Sequence, residues 1–537
     1  MIGSKFIGSA VVALCLFGGA ANAQTVKIAQ GSLRGVTEGG VEAFKNIPFA
    51  APPVGPLRWK APQPAAAWKG VRDATKHGNA CMQLPVGGSM GDDSAIGYAL
   101  GDQGPFTQSE DCLNLIVRRP AGTKAGAKLP VMIWIYGGGF EIGNGAQRTY
   151  NGSGLLKRNV ILVNPNYRLG TFGFLAHPDL SAETANHVSG NYAMLDAIAA
   201  MKWVKANIAA FGGDPNNVTI FGESAGAATV SFVTGSPLAK GLFNRSIIQS
   251  TGQLFGPRDL SLADAEKAGS RWTDHAGVKS IAAARALTAE QVLAASRPAP
   301  DVAPFPHRPV VDGWFLPTTT YEQLKNGAYN KPVIVGNNND EGVVGFSAPT
   351  LALADYVAMV RRNWGADADT ILAAYPATND REALRSARDL SRDSSFASTT
   401  WAWAKGQRAA PVYTYNFNHR PPFPKAPHLD DVNAAHAVEL PYTMGEIFST
   451  RMNWKPEDYA LSEKMIGYWT NFAKTGNPNG PGLPEWTVSG PAGDRSMQFG
   501  GPALAAMGET RELRRLAIID EIYRRQRAAA AAASAGK

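Results

Sequence analysis

Three cysteines, eight histidines and a charged fraction of only 18% are all that the 537-residue chain supplies, and each scarcity excludes something. No Cys/His spacing of the kind that holds zinc occurs anywhere, so no structural metal centre is expected. The one strongly apolar segment, Phe6 to Phe17, is shorter than the ~20 residues that a membrane span needs. There is no internal repeat, and low complexity is confined to residues 528–537. What remains, with 45% hydrophobic residues, is enough for a large globular core.

The first 23 residues differ from the rest. Lys5 gives a positive start, the apolar segment follows, and Ala21-Asn22-Ala23 offers the small-x-small pattern that signal peptidase cuts. The expected mature chain begins at Gln24 and is periplasmic or secreted. Cys15 leaves with the leader and lacks the small residues of a lipidation site. Cys81 and Cys112 then remain in an oxidising compartment, where an even count favours a disulfide. Closing such a loop contributes roughly 3 to 4 kcal/mol on the chain-entropy model.

The formal charge is +8, and much of the excess sits near the C-terminus at Arg511, Arg514, Arg515, Arg524, Arg525 and Arg527. No nucleic-acid recognition motif accompanies these residues, so they read as a solvated surface and no nucleic-acid partner is expected. Leu513, Leu516, Ile519 and Ile522 recur every three residues, which predicts an apolar stripe on a last helix. That stripe offers a surface for a homodimer. Beyond it, the Ala-rich tail is expected to fray into disorder.

Between the ends, strand-like and helix-like runs alternate. Val131 to Tyr136, Val160 to Val163, Val218 to Phe221 and Val333 to Gly336 are continuous apolar runs, as in strands buried on both faces. Leu195 to Ile208 has helical spacing and is broken by Gly212-Gly213-Asp214-Pro215. The alternation predicts an α/β fold with a mostly parallel central sheet flanked by helices.

Ser224 lies in Phe221-Gly222-Glu223-Ser224-Ala225-Gly226-Ala227, directly after one of these strands and before a helix-compatible stretch. Strand, sharp turn and helix are the setting of a nucleophile elbow, in which small residues let the turn pack tightly and leave the hydroxyl exposed. A serine attacks poorly without a base and a group to stabilise the oxyanion. Gly137-Gly138-Gly139 follows the strand that ends at Tyr136, and its N–H groups, with that of Ala225, are placed to bind an oxyanion.

In such folds the base follows the acid, and both follow the serine. Five histidines lie beyond Ser224: His275, His307, His419, His428 and His436. His436 is flanked by small residues in Ala434-Ala435-His436-Ala437, whereas His419 and His428 sit among prolines and read as loop residues. Asp340 and Glu341 lie in the loop after the Val333 strand, where α/β sites collect. Either could orient an imidazole, and the residues alone do not choose between them.

Seven ordered blocks now resemble one family. They are Pro52 to Trp59, Glu110 to Leu113, Trp134 to Phe140, Asn166 to Leu175, Gly212 to Ala227, Asn337 to Gly342 and Ala434 to Tyr442. Together they are similar to type-B carboxylesterases, the group that includes cholinesterases, bacterial para-nitrobenzyl esterases and some lipases. The resemblance implies an α/β-hydrolase fold with long loop and helical insertions over residues 24–527. It also implies Ser224 as nucleophile, His436 as base and Glu341 rather than Asp340 as acid. Gly138, Gly139 and Ala225 become the oxyanion donors, Glu223 an acidic neighbour that tunes the site, and Cys81–Cys112 a disulfide. Arg58 with Glu110 and Arg168 with Asp196 are implied as structural ion pairs.

The block from Glu110 to Ile116 departs from the family at Asn114 and Ile116, where a tyrosine and an asparagine are usual. Residues 82–111 contain no tryptophan, and Val343, Val344 and Gly345 stand where cholinesterases carry aromatics. A choline site would lack its cation–π partners. The expected activity is hydrolysis of a small-molecule carboxylic ester through an acyl-enzyme, without a cofactor, and falling below about pH 6 to 7 as the base protonates. The alternatives are a neuroligin-like adhesion protein, whose kind lacks the serine, and an amidase or a hydrolase of bulky polyesters or mycotoxin esters.

Overall fold

The computed structural model describes residues 21–85, 91, 93–101, 106–252, 254–256, 259–297 and 305–535. Its centre is a 13-stranded sheet. In chain order the strands used below are β1 (Ala21–Ile28), β2 (Gly31–Glu38), β3 (Val41–Pro48), β4 (Asn114–Pro120), β5 (Leu129–Ile135), β6 (Ile161–Pro165), β7 (Gly213–Glu223), β8 (Arg245–Gln249), β9 (Val333–Asn338), β10 (Val412–Phe417), β11 (Arg495–Phe499) and β12 (Ala505–Glu509). They lie side by side as β1-β2-β3-β4-β6-β5-β7-β8-β9-β10-β11-β12. The run from β6 to β11 is parallel, and antiparallel strands finish both ends.

The apolar runs of the sequence account for this core. Val131, Ile133, Trp134, Val163, Ile220, Ile247 and Ile334 are buried, because helices cover both faces of a parallel sheet and leave no strand face for water. Helix α1 (Tyr192–Asn207) precedes β7, and α2 (Ala225–Gly235) connects β7 to β8. Since the central strands run one way, the ends of β5, β7, β9 and β10 open onto one rim, where ligands of open α/β sheets bind.

Strand β1 spans the expected leader boundary. Its pairing with β2 is interrupted between Asn22 and Thr25, so the Thr25 to Ile28 register follows the break rather than depending on what precedes it. The rest of the leader lies outside the described residues. Among those residues, no helix is long and apolar enough to cross a membrane. Cys81 and Cys112 form a disulfide, with Cα atoms 5.0 Å apart.

Buried arginines pin the scaffold. Arg168 holds Asp196 through two 2.8 Å hydrogen bonds, Arg58 grips both oxygens of Glu110, and Arg119 donates to Glu42 at 2.7 Å. The first two are the pairs that the resemblance implies.

Two further helices, α3 (Asp380–Arg392) and α4 (Ser398–Gly406), are joined by a π-helical turn, Asp393–Ala397. Across them lies α5 (Leu513–Ala535). Its stripe is used inside the chain: Leu516, Ile519 and Ile522 are buried, and the latter two pack with Tyr356, Val360 and Ile371. The homodimer surface read from that stripe is therefore not available. Arg511, Arg514, Arg524 and Arg525 are exposed, as expected of a solvated surface, and several of the basic residues also hold partners, with Arg515 on Asp389, Arg525 on Asp367, Arg524 on Glu521 and Arg511 on Asn339. The helix also runs through the alanine tract expected to fray. Alanine has the highest helix propensity, and a docked helix supplies the nucleus that an isolated one lacks.

Candidate active site

Ser224 sits between the last residue of β7 and the first of α2, with φ 55° and ψ −128°. That conformation costs a non-glycine residue about 1–3 kcal/mol and persists only where the surroundings impose it. The surroundings do so from both sides. The Ser224 N–H donates to the Gln249 carbonyl at 3.0 Å, and its carbonyl accepts from Ala228 at 2.9 Å. Gly226 passes so close to β5 that a Cβ there would lie 2.0 Å from the Ile135 carbonyl oxygen.

The glycine loop approaches from the end of β5. At φ 105°, Gly138 has a backbone that suits glycine, and a Cβ there would meet the Ile142 carbonyl at 2.2 Å. The N–H groups of Glu141 and Ile142 both return to the Gly138 carbonyl, which fixes the loop as a tight turn. Among the described residues the amides of Gly138, Gly139 and Ala225 donate to no acceptor. Three unspent donors are thus left on the glycine loop and on the residue after Ser224.

The imidazole of His436 is reached from β10 and the acid from β9. His436 Nδ1 donates to Glu341 Oε2 at 2.5 Å, and the Asn338 N–H donates to Glu341 Oε1 at 2.6 Å. Glu341 is fully buried and thus oriented by two donors. Asp340 is occupied elsewhere: it accepts from the Asn433 N–H at 3.1 Å, while its own N–H donates to the Ala434 carbonyl at 2.8 Å. The choice that the residues alone left open is thus resolved as to contact, since Glu341 touches the imidazole and Asp340 braces its loop.

His436 Nε2 stands 3.1 Å from Glu223 Oε1, at ion-pair distance but without hydrogen-bond alignment. Among the described residues the Ser224 hydroxyl makes no hydrogen bond, so the serine-to-imidazole contact is not formed here. Catalytic hydrogen bonds are often long before substrate binds. The remaining histidines go to other tasks. His419 pairs with Asp458 at 2.7 Å, His428 reaches the Asp93 carbonyl, and His307 bridges Glu141 and Thr171 at 3.2 Å each. His307 thereby ties down the residue two beyond Gly139, a role without a sequence signal.

A third carboxylate was not singled out from sequence. Glu439 is fully buried, accepting from Asn338 Nδ2 at 2.6 Å and from Gln249 Nε2 at 3.1 Å, while Gln249 accepts from the Trp469 indole at 3.0 Å. Its spacing, three residues after the histidine in a turn, was the only clue. Glu223 and Glu341 thus touch the imidazole, and Glu439 joins them through Asn338, whose N–H holds Glu341 and whose side-chain amide holds Glu439. Burial opposes a charged His436, yet Glu223, Glu341 and Glu439 outweigh it and raise the imidazole to about 9. Burial likewise pushes Glu223 up to about 8, against the pull of His436, and pushes Glu439 upward as well. The proton between Glu223 and His436 belongs to the pair.

Beside the elbow opens a cavity of about 470 Å³, walled by Phe140, Ala228, Phe232, Leu254 and Tyr523. No cluster of metal-ligating side chains occurs among the described residues.

A parallel sheet with a strained serine elbow, a glycine loop and a buried carboxylate–imidazole pair at one rim defines an α/β-hydrolase. Residues 22–513 match the model of the carboxylesterase family, and the chain belongs to that family. It is 38% identical over 470 residues to a fumonisin B1 esterase of Sphingopyxis macrogoltabida, covering 84% of this chain and 81% of the relative. It is 36% identical to a human cocaine esterase, covering 84% and 82%. A solved para-nitrobenzyl (PNB) esterase superposes with a TM-score of 0.77 at 31% identity, over 92% of this chain and 99% of that one. The protein is a carboxylic ester hydrolase.

Proposed function

We propose that Ser224, His436 and Glu341 are the catalytic triad of this hydrolase and that Gly138, Gly139 and Ala225 supply its oxyanion hole. The observation that carries the reading is the 2.5 Å contact of His436 Nδ1 with a fully buried Glu341, at the rim where the Ser224 elbow protrudes. His436 Nε2 takes the hydroxyl proton as Ser224 Oγ attacks the ester carbonyl, and Glu341 stabilises the imidazolium. The carbonyl oxygen, now negative, is held by the three amides. The tetrahedral species collapses as His436 returns the proton to the leaving alcohol. Water, deprotonated by the same imidazole, then releases the acid and restores the serine.

Glu223 acts on this cycle through the field it places on His436. A leader removed before Gln24 and action in the periplasm or outside the cell complete the reading, supported by the charged start, apolar run and small-residue cleavage pattern. Preference for a bulky ester is supported by the size of the cavity and by relatives named for fumonisin B1 and cocaine. Ser224→Ala is expected to lower para-nitrophenyl acetate hydrolysis roughly 10^4-fold or more with the fold intact by circular dichroism. A variant as active as wild type would remove the triad assignment.

A further inference from the structure

The cavity beside the elbow carries a charge that ester hydrolysis itself does not require. Its near wall is apolar: Phe140 follows the glycine loop, and Ala228 and Phe232 lie one and two turns into α2 from Ser224. A group attached to an ester carbonyl at Ser224 therefore has this space to enter. Two ionisable side chains, Arg308 and Asp259, also line it.

These two differ in what they have left to give. Asp259 Oδ2 accepts from the Thr320 N–H at 2.6 Å and from the Thr320 hydroxyl at 3.1 Å. Burial raises its pKa, against the Thr320 hydrogen bonds and the charge of Arg308. Arg308 is exposed, and among the described residues its guanidinium makes neither an ion pair nor a hydrogen bond. The carboxylate is thus committed to Thr320, whereas the guanidinium, though it feels the charge of Asp259, keeps its planar fork of donors, the geometry that matches a carboxylate.

We infer that the preferred substrates are esters bearing a free carboxylate on the group that enters this cavity, such as monoesters of dicarboxylic acids, with Arg308 as the recognising residue. The inference rests on the reading of Ser224 as nucleophile. An apolar spacer would lie along Phe140 and Phe232 while the carboxylate meets Arg308 near the mouth, where desolvation is partial.

The test compares kcat/KM for para-nitrophenyl hemiglutarate with that for para-nitrophenyl hexanoate, and in a second arm for butyrate esters of hydroxybenzoate and of phenol. In wild type the anionic member of at least one pair is favoured, and the arm that responds tells whether the acyl or the alcohol part enters the cavity. Arg308→Met lowers the anionic-to-neutral ratio roughly tenfold or more, and Arg308→Lys retains part of it. Raised ionic strength narrows the wild-type ratio. A ratio unchanged in Arg308→Met, a loss equal for both esters, or a wild-type preference for a cationic ester overturns the inference. Ser224→Ala separates the two readings: it abolishes all four reactions if the nucleophile is right, whatever Arg308 does.

Discussion

Two kinds of buried acid coexist in this molecule. In one set a carboxylate faces its own guanidinium within the scaffold: Asp196 meets Arg168 through two bonds, and Glu42 meets Arg119. At the rim three carboxylates, Glu223, Glu341 and Glu439, surround one imidazole with amides and an indole as the remaining support. A guanidinium keeps its proton at every accessible pH, so the scaffold pairs hold fixed charge. The imidazole and its crowded acids cannot all be charged together, and the protons there stay mobile. The same burial that makes one set rigid makes the other chemically active.

Substitutions at the two sets sharpen that contrast. The largest effect is expected from His436→Gln, which removes the mobile proton's carrier: para-nitrophenyl acetate turnover falls roughly 10^4-fold or more, while the denaturation midpoint above about pH 9, where the stability tied to that proton is lost, changes little. A large fall in the midpoint would mean that the imidazole is part of the scaffold after all. Next comes Asp196→Asn, which leaves Arg168 buried without its counter-charge. Chemical denaturation should register a loss of about 3–5 kcal/mol, with kcat of the folded fraction nearly unchanged.

Glu223→Gln is intermediate. Removing a carboxylate that raises His436 moves the acid limb of the kcat/KM profile to lower pH, by about one unit. The variant also tests linkage. Glu223 and His436 are both raised in the folded state, to about 8 and about 9, so the native chain holds more protons than the unfolded one between their ordinary values and these. The stability from this pair is present below about pH 4.5 and is lost as pH rises through 8 to 9. Wild type should therefore lose more melting temperature than Glu223→Gln between pH 5 and pH 9, and an equal loss in both would contradict the shared proton. The smallest effect is expected from Arg527→Ala. Arg527 donates to the Phe255 carbonyl at 2.8 Å and lies over the Tyr321 ring at 3.8 Å, so its removal costs about 1–2 kcal/mol by denaturant titration.

The parts of this arrangement that could be read from sequence are those written in one local pattern. The strands announced themselves because burial on both faces leaves an unbroken apolar run, as in Val131 to Ile135. The elbow was legible because a glycine on either side of Ser224 answers a steric demand at that point in the chain. What could not be read depends on which way a side chain turns at the end of a strand. Asp340 and Glu341 are adjacent and chemically alike, and only the close approach of the Asn433 amide decides which of them faces the imidazole. Glu439 gave no periodic signal because it is buried by a turn rather than by a strand or helix face. That Arg515 and Arg525 also hold Asp389 and Asp367 could not be read, because these partners lie more than a hundred residues away.

The brace formed by Asp340 has an evolutionary consequence. Its backbone pairs with the segment at Ala435, clipping together two stretches of chain just where acid and base must meet. Of the polypeptide between them, β10 returns to the central sheet, whereas α3, α4 and the π-helical turn against the cavity form an excursion between β9 and β10. Such an excursion can lengthen, shorten or repack to accommodate different esters without loosening the alignment of proton donor and acceptor beneath it.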